Sequence, residues 1–279
     1  MNISIGDGGA LAGAPLGKPT AYPERYDPTL LYPIARAVER ELLGSRSPLP
    51  FSGVDLWTAY ELSWLDGSGR PQIAIGKFRV PADSPAIVES KSLKLYLGSL
   101  AQESITNAGE LGRRIAGDLR RACGAPVDIE LVPPSRFAAL PVAELPGESI
   151  DTLEVSVAAP APDAAVLRAG TAIAEESLRS ALFRCKCPVT GQPDFGDVLI
   201  RYRGPRIDRA SLLRYVVSFR THAAFHESCV ERIFLDIKQR CAPERLTVYA
   251  RFTRRGGIDI NPFRSDFEAA PSDVRTPRQ

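Results

Sequence analysis

The sequence is poor in histidine and modest in cysteine. Its 279 residues include only two histidines, His222 and His226. Any metal centre or catalytic triad that needs imidazole must therefore use these two positions. The cysteines number five, so at least one thiol is free if the others pair within the chain. We expect a reducing, cytoplasmic setting, where cysteines serve chemistry or packing more often than disulfides.

Neither positive nor negative charge dominates the sequence, and no long hydrophobic run occurs. Lys and Arg number 35 against 33 Asp and Glu, a net charge of +2. So small a bias gives little support to a nucleic-acid-binding surface, and we expect no direct nucleic-acid partner. No stretch approaches the roughly 18 apolar residues of a membrane helix, so we expect no membrane contact. Residues 1–30 also lack the charged start and apolar run of an export signal.

Several cofactor and catalytic motifs are absent. No Gly-x-Gly-x-x-Gly follows a predicted strand, and no Gly-x-x-x-x-Gly-Lys-Ser/Thr occurs. Cys-x-x-Cys, His-Glu-x-x-His and Gly-x-Ser-x-Gly are missing as well. A Rossmann dehydrogenase, a P-loop enzyme and an α/β-hydrolase are therefore disfavoured. If this chain binds a nucleotide cofactor, it does so through a different binding motif.

The hydrophobic pattern predicts the same order of elements twice. After an irregular lead-in over residues 1–30, we expect a helix over Leu30–Leu43. A hairpin, two helices and a strand then follow in the first half. Their predicted ranges are Trp57–Trp64, Gln72–Val80, Lys91–Leu100, Ala108–Ala122 and Val127–Val132.

The second half repeats this order. Its predicted strands are Thr152–Val157, Ser177–Cys185, Asp197–Tyr202 and Leu246–Arg254, and its predicted helices are Arg209–Phe219 and Ala224–Gln239. Residues 133–150 show no regular hydrophobic pattern, and residues 159–163 form a connection rich in proline and alanine. We therefore predict an α+β chain with one module over residues 31–145 and a second over 146–279.

The segment around Cys187 is the first candidate for chemistry. If the preceding strand continues, Cys185 and Cys187 share one face because strand side chains alternate. Arg184 and Lys186 would supply positive charge nearby, which favours a thiolate over a thiol. A thiolate and the carboxylic acid of Asp194 facing one small space would suit covalent catalysis with proton donation. The alternative is two buried structural cysteines and an aspartate in a turn.

A predicted helix start at His226 and Glu227 is the second candidate. Helical spacing puts His226 near the centre of the apolar face and Glu227 near its edge, where both are costly without partners. The alternative is a core histidine with one hydrogen bond and a glutamate favoured by the helix N-terminus. His222 and His226, four residues apart, could instead bind zinc with Cys185 or Cys187.

Two further segments carry positive charge. In Glu89–Tyr96, Ser90 could cap a helix whose free amides bind a phosphate beside Lys91 or Lys94. The alternative is an ordinary capped helix with solvated lysines. Arg254–Gly257 is a cationic strand end that runs into a flexible turn, and by itself is a generic anion-binding candidate.

Together these segments resemble one family, the NADPH-dependent nitrile reductases of queuosine biosynthesis, in their long two-module form. Four motifs in order carry the resemblance: Glu89–Tyr96 (ESKSLKLY), Cys187–Asp194 (CPVTGQPD), Ser218–Glu227 (SFRTHAAFHE) and Arg254–Pro262 (RRGGIDINP). Leu16–Pro23 and Tyr26–Pro33 also fit, so the resemblance covers essentially the whole chain.

The resemblance implies a tunnelling fold of two tandem ββααββ modules, with chains pairing as a homodimer. It implies reduction of the nitrile of 7-cyano-7-deazaguanine to the primary amine 7-aminomethyl-7-deazaguanine, with two NADPH consumed and no metal expected. The substrate is then a free base that has not yet joined RNA. Two alternatives stay open: a zinc-dependent cyclohydrolase of the same fold, and a non-catalytic purine-binding module.

The resemblance also implies catalytic roles. Cys187 is the implied nucleophile, whose sulfur adds to the nitrile carbon to form a thioimide. Asp194 is the implied proton donor to the nitrile nitrogen, which requires its acid form near neutral pH. His226 is implied to assist proton transfer or substrate placement. Because the Glu89 motif and Cys187 lie in different halves, we expect the modules to meet at the site.

Binding roles are implied for the remaining residues. Glu89 and Glu227 would accept N–H groups of the base, and Phe225 would stack on it or close over it. The rest of the implied substrate set is Val88, Ser90 and His226. The implied NADPH contacts are Ser90, Lys91, Arg255 and Gly256, where cations would explain a preference for the 2′-phosphate.

Overall fold

The computed structural model describes residues 14–15, 22–45, 47–156 and 161–279. The predicted lead-in over residues 1–30, the Leu16–Pro23 motif and the connection at residues 159–163 therefore lie wholly or partly outside the described residues. The chain divides into two compact units. The first comprises Met1–Leu42, Asp55–Leu140 and Arg254–Ile260, and the second Leu43–Val54, Pro141–Thr253 and Asn261–Gln279. The predicted module bounds stay a prediction.

The first unit packs two helices against antiparallel strands. Its elements are β1 (Pro33–Ala35), α1 (Arg36–Leu42), β2 (Ser52–Leu65), β3 (Pro71–Pro81), β4 (Ala86–Val88), α2 (Ser90–Ser99), α3 (Ala108–Cys123) and β5 (Asp128–Val132). The first residues of β2 belong to the second unit. The strand order is β5-β3-β2, and β1 pairs separately with β4. The β2–β3 turn forms because Asp66 accepts hydrogen bonds from the N–H groups of Ser68 and Arg70. The core contains Trp57, Phe78, Tyr96, Leu111 and Ile115.

The second unit has the order ββααββ after a two-residue strand. Its elements are β6 (Glu148–Ser149), β7 (Ala169–Lys186), β8 (Pro193–Ile207), α4 (Arg209–Ser218), α5 (His226–Cys241), β9 (Arg245–Phe252) and β10 (Ile258–Ser265), whose first residues belong to the first unit. The strand order is β10-β9-β8-β7-β6, antiparallel except for β6 beside β7. The apolar face predicted for α5 is buried in its core. The α+β class is confirmed.

The predicted helix over Leu30–Leu43 is wrong in its first half. Pro28–Leu30 is a short 3₁₀ turn and Pro33–Ala35 is a strand, so only Arg36–Leu42 is helical. Proline at position 33 lacks an N–H group, which suits the end of a short edge strand. Ile34 pairs with Ile87 in that strand and is buried.

A predicted strand over Thr152–Val157 is also wrong. Residues 152–156 are turn and irregular chain, and residue 157 lies outside the described part. The preceding Asp151 instead accepts hydrogen bonds from Ser180 Oγ (2.6 Å) and the Ala181 N–H (2.9 Å) of β7. Strand β10 was not predicted. No helix in the described ranges is long and apolar enough to cross a membrane.

Candidate active site

Cys187 begins the loop that joins β7 to β8. Its N–H donates to the carbonyl of Gln192 (2.9 Å), and its carbonyl accepts from Gly191 N–H (3.0 Å). Gly191 has φ +68°, a conformation that glycine adopts without a steric penalty. Phe183, Cys185 and Cys187 are all buried, as strand alternation predicted. The Cys187 thiol is therefore held in the interior at the base of an exposed turn.

Asp194 lies on the facing strand. Residue 194 is the second of β8, and its Cα pairs in register with that of Cys185 in β7. Asp194 is buried, and its Oδ2 lies 3.4 Å from Nε2 of His226. The contact becomes an ion pair when the imidazole is protonated. The structure thus brings two of the predicted catalytic side chains together.

Backbone pairing places His226 at this position. The Lys186 N–H donates to the His222 carbonyl (2.8 Å), and the Ala224 N–H donates to the Lys186 carbonyl (3.1 Å). These bonds fix the chain before α5 to the end of β7, so α5 begins beside the β7–β8 loop. The His226 ring stacks flat on Phe252, with centroids 3.7 Å apart and planes 2° apart. Its Nδ1 is buried and has no hydrogen-bond partner in the described part of the chain.

The other two residues of this motif flank His226. Phe225 is half-buried and immediately precedes α5, and Glu227 is buried in the first turn of that helix. Glu227 is more deeply buried than His226, which reverses the predicted order on the helix face. His226 is the first helical residue, and its ring covers the buried Phe252 ring at the margin of the core. Phe252 was not singled out from the sequence, because only its place at the end of a predicted strand was visible.

Arg184, one of the two cations expected to support the Cys187 thiolate, has its contacts elsewhere. Arg184 donates from Nη1 to the Arg220 carbonyl (2.7 Å) and lies over the Phe195 ring at 5.6 Å. Strand alternation turns Arg184 and Lys186 to the face opposite Cys185. The sequence argument for thiolate formation by Arg184 is therefore wrong.

Cys185 lies beside Asp194 and His226. A hydrogen bond to Cys229, together with complete burial, raises the pKa of the Cys185 thiol well above its ordinary value. The atoms Cys185 Sγ, an Asp194 oxygen and a His226 nitrogen lie within 4.8 Å of one another.

The zinc site predicted from both histidines does not form among the described residues, because His222 is not part of that group. The ring of His222 packs edge-on against Phe219, with centroids 5.5 Å apart. Burial, together with the nearby Arg232 charge, lowers the pKa of His222 to about 4.

In the first unit, Glu89 is the N-cap of α2. Its Oε1 accepts from the Lys91 N–H (2.6 Å) and its Oε2 from the Ser92 N–H (2.9 Å). Glu89 is 1% exposed, and burial raises its pKa. Ser90, the predicted cap, is instead the first helical residue. The Lys91 and Ser92 amides therefore already bind the Glu89 carboxylate, so a phosphate would have to be held by side chains.

Two of the four predicted cofactor residues, Arg255 and Gly256, lie in a tight turn. Arg255 and Ile258 exchange both backbone hydrogen bonds about Gly256 and Gly257, whose φ values are +58° and +79°. Two central residues with positive φ define a type I′ turn, for which Gly-Gly is favoured. A Cβ on Gly256 would lie 3.1 Å from Nζ of Lys94, which is in α2.

The remaining predicted residues of this unit have other contacts. Lys91 Nζ donates to the Pro15 carbonyl (3.1 Å). Val88, the last residue of β4, packs into the core with Trp57 and Leu93.

Comparison with known proteins identifies the family. Residues 22–131 match the family model described as "Nitrile reductase, 7-cyano-7-deazaguanine-reductase N-term", and residues 193–271 match "QueF-like protein". The crystal structure of the archaeosine synthase QueF-Like in the apo form aligns with a TM-score of 0.31 at 15% identity, over 37% of this chain and all of that chain.

Three curated bacterial relatives are named NADPH-dependent 7-cyano-7-deazaguanine reductase. The Bordetella pertussis protein is 56% identical over 97% of this chain and 100% of its own. The Chromobacterium violaceum protein is 54% identical over 95% and 96%, and the Paraburkholderia phymatum protein is 53% identical over 95% and 98%. Identity of this level over nearly the whole length of both chains shows that the protein belongs to the NADPH-dependent 7-cyano-7-deazaguanine reductase family.

Proposed function

We propose that this chain reduces the nitrile of 7-cyano-7-deazaguanine to a primary amine at the expense of two NADPH. The observation that carries the proposal is the 53–56% identity to reductases of that name over nearly their full lengths. The names of the relatives favour neither the zinc-dependent cyclohydrolase nor the non-catalytic binding module.

Cys187 and Asp194 supply the first step. The Cys187 sulfur forms a bond to the nitrile carbon as one C–N π bond breaks, and the nitrogen takes a proton from Asp194, giving a thioimide. The thiol proton is proposed to pass to His226, whose Nε2 lies 3.4 Å from Asp194 Oδ2. His226 thereby restores the acid form of Asp194 for the later proton transfer.

Each NADPH, when bound, would supply one hydride, so two NADPH are needed for the four-electron reduction of the nitrile. Two hydrides and two protons together convert the nitrile to the amine. Ser90, Lys91, Arg255 and Gly256 are proposed to hold this co-substrate. The Lys94 ammonium beside Gly256 is the group proposed to bind a phosphate. Lys94 Nζ lies 3.6 Å from Oε2 of Glu61, whose carboxylate stands beside Gly257, so a bound phosphate would have to displace that carboxylate from Lys94.

Base recognition is proposed for the buried glutamates. Glu227 is 4% exposed, and a carboxylate in such a place can accept two adjacent N–H groups of a guanine-like edge. A site that depends on these bonds rejects analogues lacking them more strongly than an apolar pocket could. Phe225, half-buried beside it, is proposed to stack on the base. For Glu89, Val88 and Ser90 in the other unit, contact with the base stays a prediction.

A homodimer in the cytoplasm is also proposed. The support is the sequence resemblance for the dimer, and five cysteines without an assigned disulfide for the reducing compartment. Sedimentation equilibrium of the purified chain tests the dimer, and fractionation of the producing cells tests the location. A monomer at micromolar concentration would contradict the first.

The experiment that tests the function is stoichiometric NADPH consumption. Purified protein and limiting 7-cyano-7-deazaguanine should oxidise two NADPH per base and yield the amine. Cys187→Ala should abolish turnover, whereas the matched control Cys241→Ala, which removes another buried thiol of the same unit, should retain it. A zinc requirement for turnover, or base binding without NADPH oxidation, would contradict the proposal.

A further inference from the structure

Three side chains of the second unit form a compact set of metal-ligand atoms. Cys185 Sγ, a carboxylate oxygen of Asp194 and an imidazole nitrogen of His226 lie within 4.8 Å of one another. Cys185 and Asp194 face each other in strand register, and His226 starts the helix beside them. The backbone of two paired strands therefore fixes two of the three ligands. Cys185 is not the implied nucleophile, so the family resemblance assigns it no role.

The spacing suits a tetrahedral thiophilic cation. Zinc binds nitrogen and oxygen ligands at about 2.0–2.2 Å, so two such donors in a tetrahedral site stand roughly 3.4 Å apart. Asp194 Oδ2 and His226 Nε2 already lie 3.4 Å apart. A thiolate at about 2.3 Å from zinc stands roughly 3.6 Å from the other donors. Since the three atoms lie within 4.8 Å of one another, Sγ would need to move by no more than about 1 Å, which rotation about one side-chain bond can supply.

We propose that Cys185, Asp194 and His226 form an inhibitory binding site for a thiophilic divalent cation, with Zn²⁺ as its representative. Binding forms a Zn–S bond as the Cys185 thiol releases its proton to water, and no electron is transferred. Three protein ligands leave the fourth position to water. Mg²⁺ prefers six oxygen ligands and is not expected to bind.

Occupancy by the cation blocks turnover, because it captures both proton-transfer groups. An Asp194 oxygen bound to zinc cannot carry a proton to the nitrile nitrogen, and a bound His226 Nε2 cannot restore that proton. Metal-binding histidines usually donate their second N–H to a partner, which strengthens binding. His226 Nδ1 has no such partner among the residues that the structure describes. We therefore expect binding that a chelator reverses.

Direct metal binding tests the proposal independently of the reductase activity. Metal-free protein is titrated with Co²⁺ and Zn²⁺, and we expect one equivalent of Co²⁺ to give a thiolate-to-cobalt charge-transfer band that Zn²⁺ displaces and Mg²⁺ does not. Cys185→Ser should abolish the band and weaken Zn²⁺ binding by at least tenfold. Cys187→Ala and the control Cys241→Ser should keep both.

Activity provides the second measurement. Zn²⁺ should inhibit NADPH oxidation by the wild-type protein, a chelator should restore it, and Cys185→Ser should need at least tenfold more Zn²⁺ for half-inhibition of its own rate. Loss of the cobalt band in Cys187→Ala with its retention in Cys185→Ser would overturn the proposal, since the cation would then bind the nucleophile. Absence of any band in folded wild-type protein would also overturn it. If the protein binds cobalt but does not oxidise NADPH, the proposed function fails and the metal site stands.

Discussion

The Gln279 side chain secures the strand that carries Phe252, and its removal has a calculable cost. Its Nε2 donates to the Phe252 carbonyl and to Asn261 Oδ1, both at 2.8 Å. Its Oε1 accepts from Arg251 Nε (2.8 Å) and from the Thr276 N–H (2.9 Å). All four hydrogen-bonding positions of one buried amide are therefore used.

The expected loss of stability follows from this count. A buried hydrogen bond contributes about 1 kcal/mol to the free energy of unfolding, so Gln279→Ala should cost about 4 kcal/mol. Gln279→Glu keeps both accepted bonds but turns a carboxylate oxygen toward the Phe252 carbonyl and Asn261 Oδ1, and the Arg251 guanidinium is already paired with Asp273. The glutamate variant should therefore cost at least as much stability as the alanine variant.

Urea unfolding of the wild type and both variants at pH 7 measures these losses. Because Asn261 Oδ1 also accepts from the Phe252 N–H (3.0 Å), weakening this network should loosen the ring on which His226 stacks. A Gln279→Ala variant within about 0.5 kcal/mol of wild type would refute the reasoning, since that is the scatter of ordinary surface substitutions. A glutamate variant clearly more stable than the alanine variant would refute the reasoning about the two donors.

Three further predictions concern single residues. Burial lowers the pKa of His222 from 6.5 to about 4, so between these values the unfolded chain binds more protons and stability rises with pH. The wild type should lose about 1–2 kcal/mol between pH 7 and pH 5, allowing for partial solvent exposure, and His222→Gln should not show this loss in urea unfolding. Glu89→Ala removes the α2 cap and should cost about 1 kcal/mol, with Glu89→Gln intermediate by thermal unfolding; equal stability of all three would contradict the capping role. Gly256→Ala forces a Cβ into φ +58° against Lys94 and should raise KM for NADPH while leaving thioimide formation at Cys187 unaffected, and an unchanged KM would count against a cofactor role for this turn.

Local patterns predicted much of the second unit. Alternation placed Cys185 and Cys187 on one face, and both are buried, Cys185 in β7 and Cys187 just beyond its end. Helical spacing identified the apolar face of α5 that carries Ile233 and Ile237. Both predictions rest on the periodicity of side-chain direction, which is two residues in a strand and 3.6 in a helix. This periodicity can be recognised within a single segment of the sequence. The pairing that brings Asp194 to His226 depends on strand register and on the Lys186 bonds, so the sequence indicated it only through the family resemblance.

The predictions failed where a contact with a residue far away in the sequence determines the local structure. Strand β10 was missed because Asn261 and Arg264 interrupt its apolar pattern, although both are fully buried. Arg264 is compensated by Glu231 of α5, with Nη2 to Oε1 at 2.8 Å, which no local pattern reveals. Ser90 was favoured as a cap by residue preference, but the Glu89 carboxylate reaches two amides at once. The Arg184 side chain lies on the face of β7 opposite Cys185, because side chains alternate along a strand.

Intact mass spectrometry of the protein with 7-cyano-7-deazaguanine, in the absence of NADPH, tests the central claim most directly. The wild type should gain the mass of one base, with peptide mapping placing it on Cys187, because without hydride the thioimide accumulates. Cys187→Ala should gain no mass, and the control Cys241→Ala should react like the wild type. An adduct that persists in Cys187→Ala, or that maps to Cys185, would contradict the assignment of Cys187 as the nucleophile.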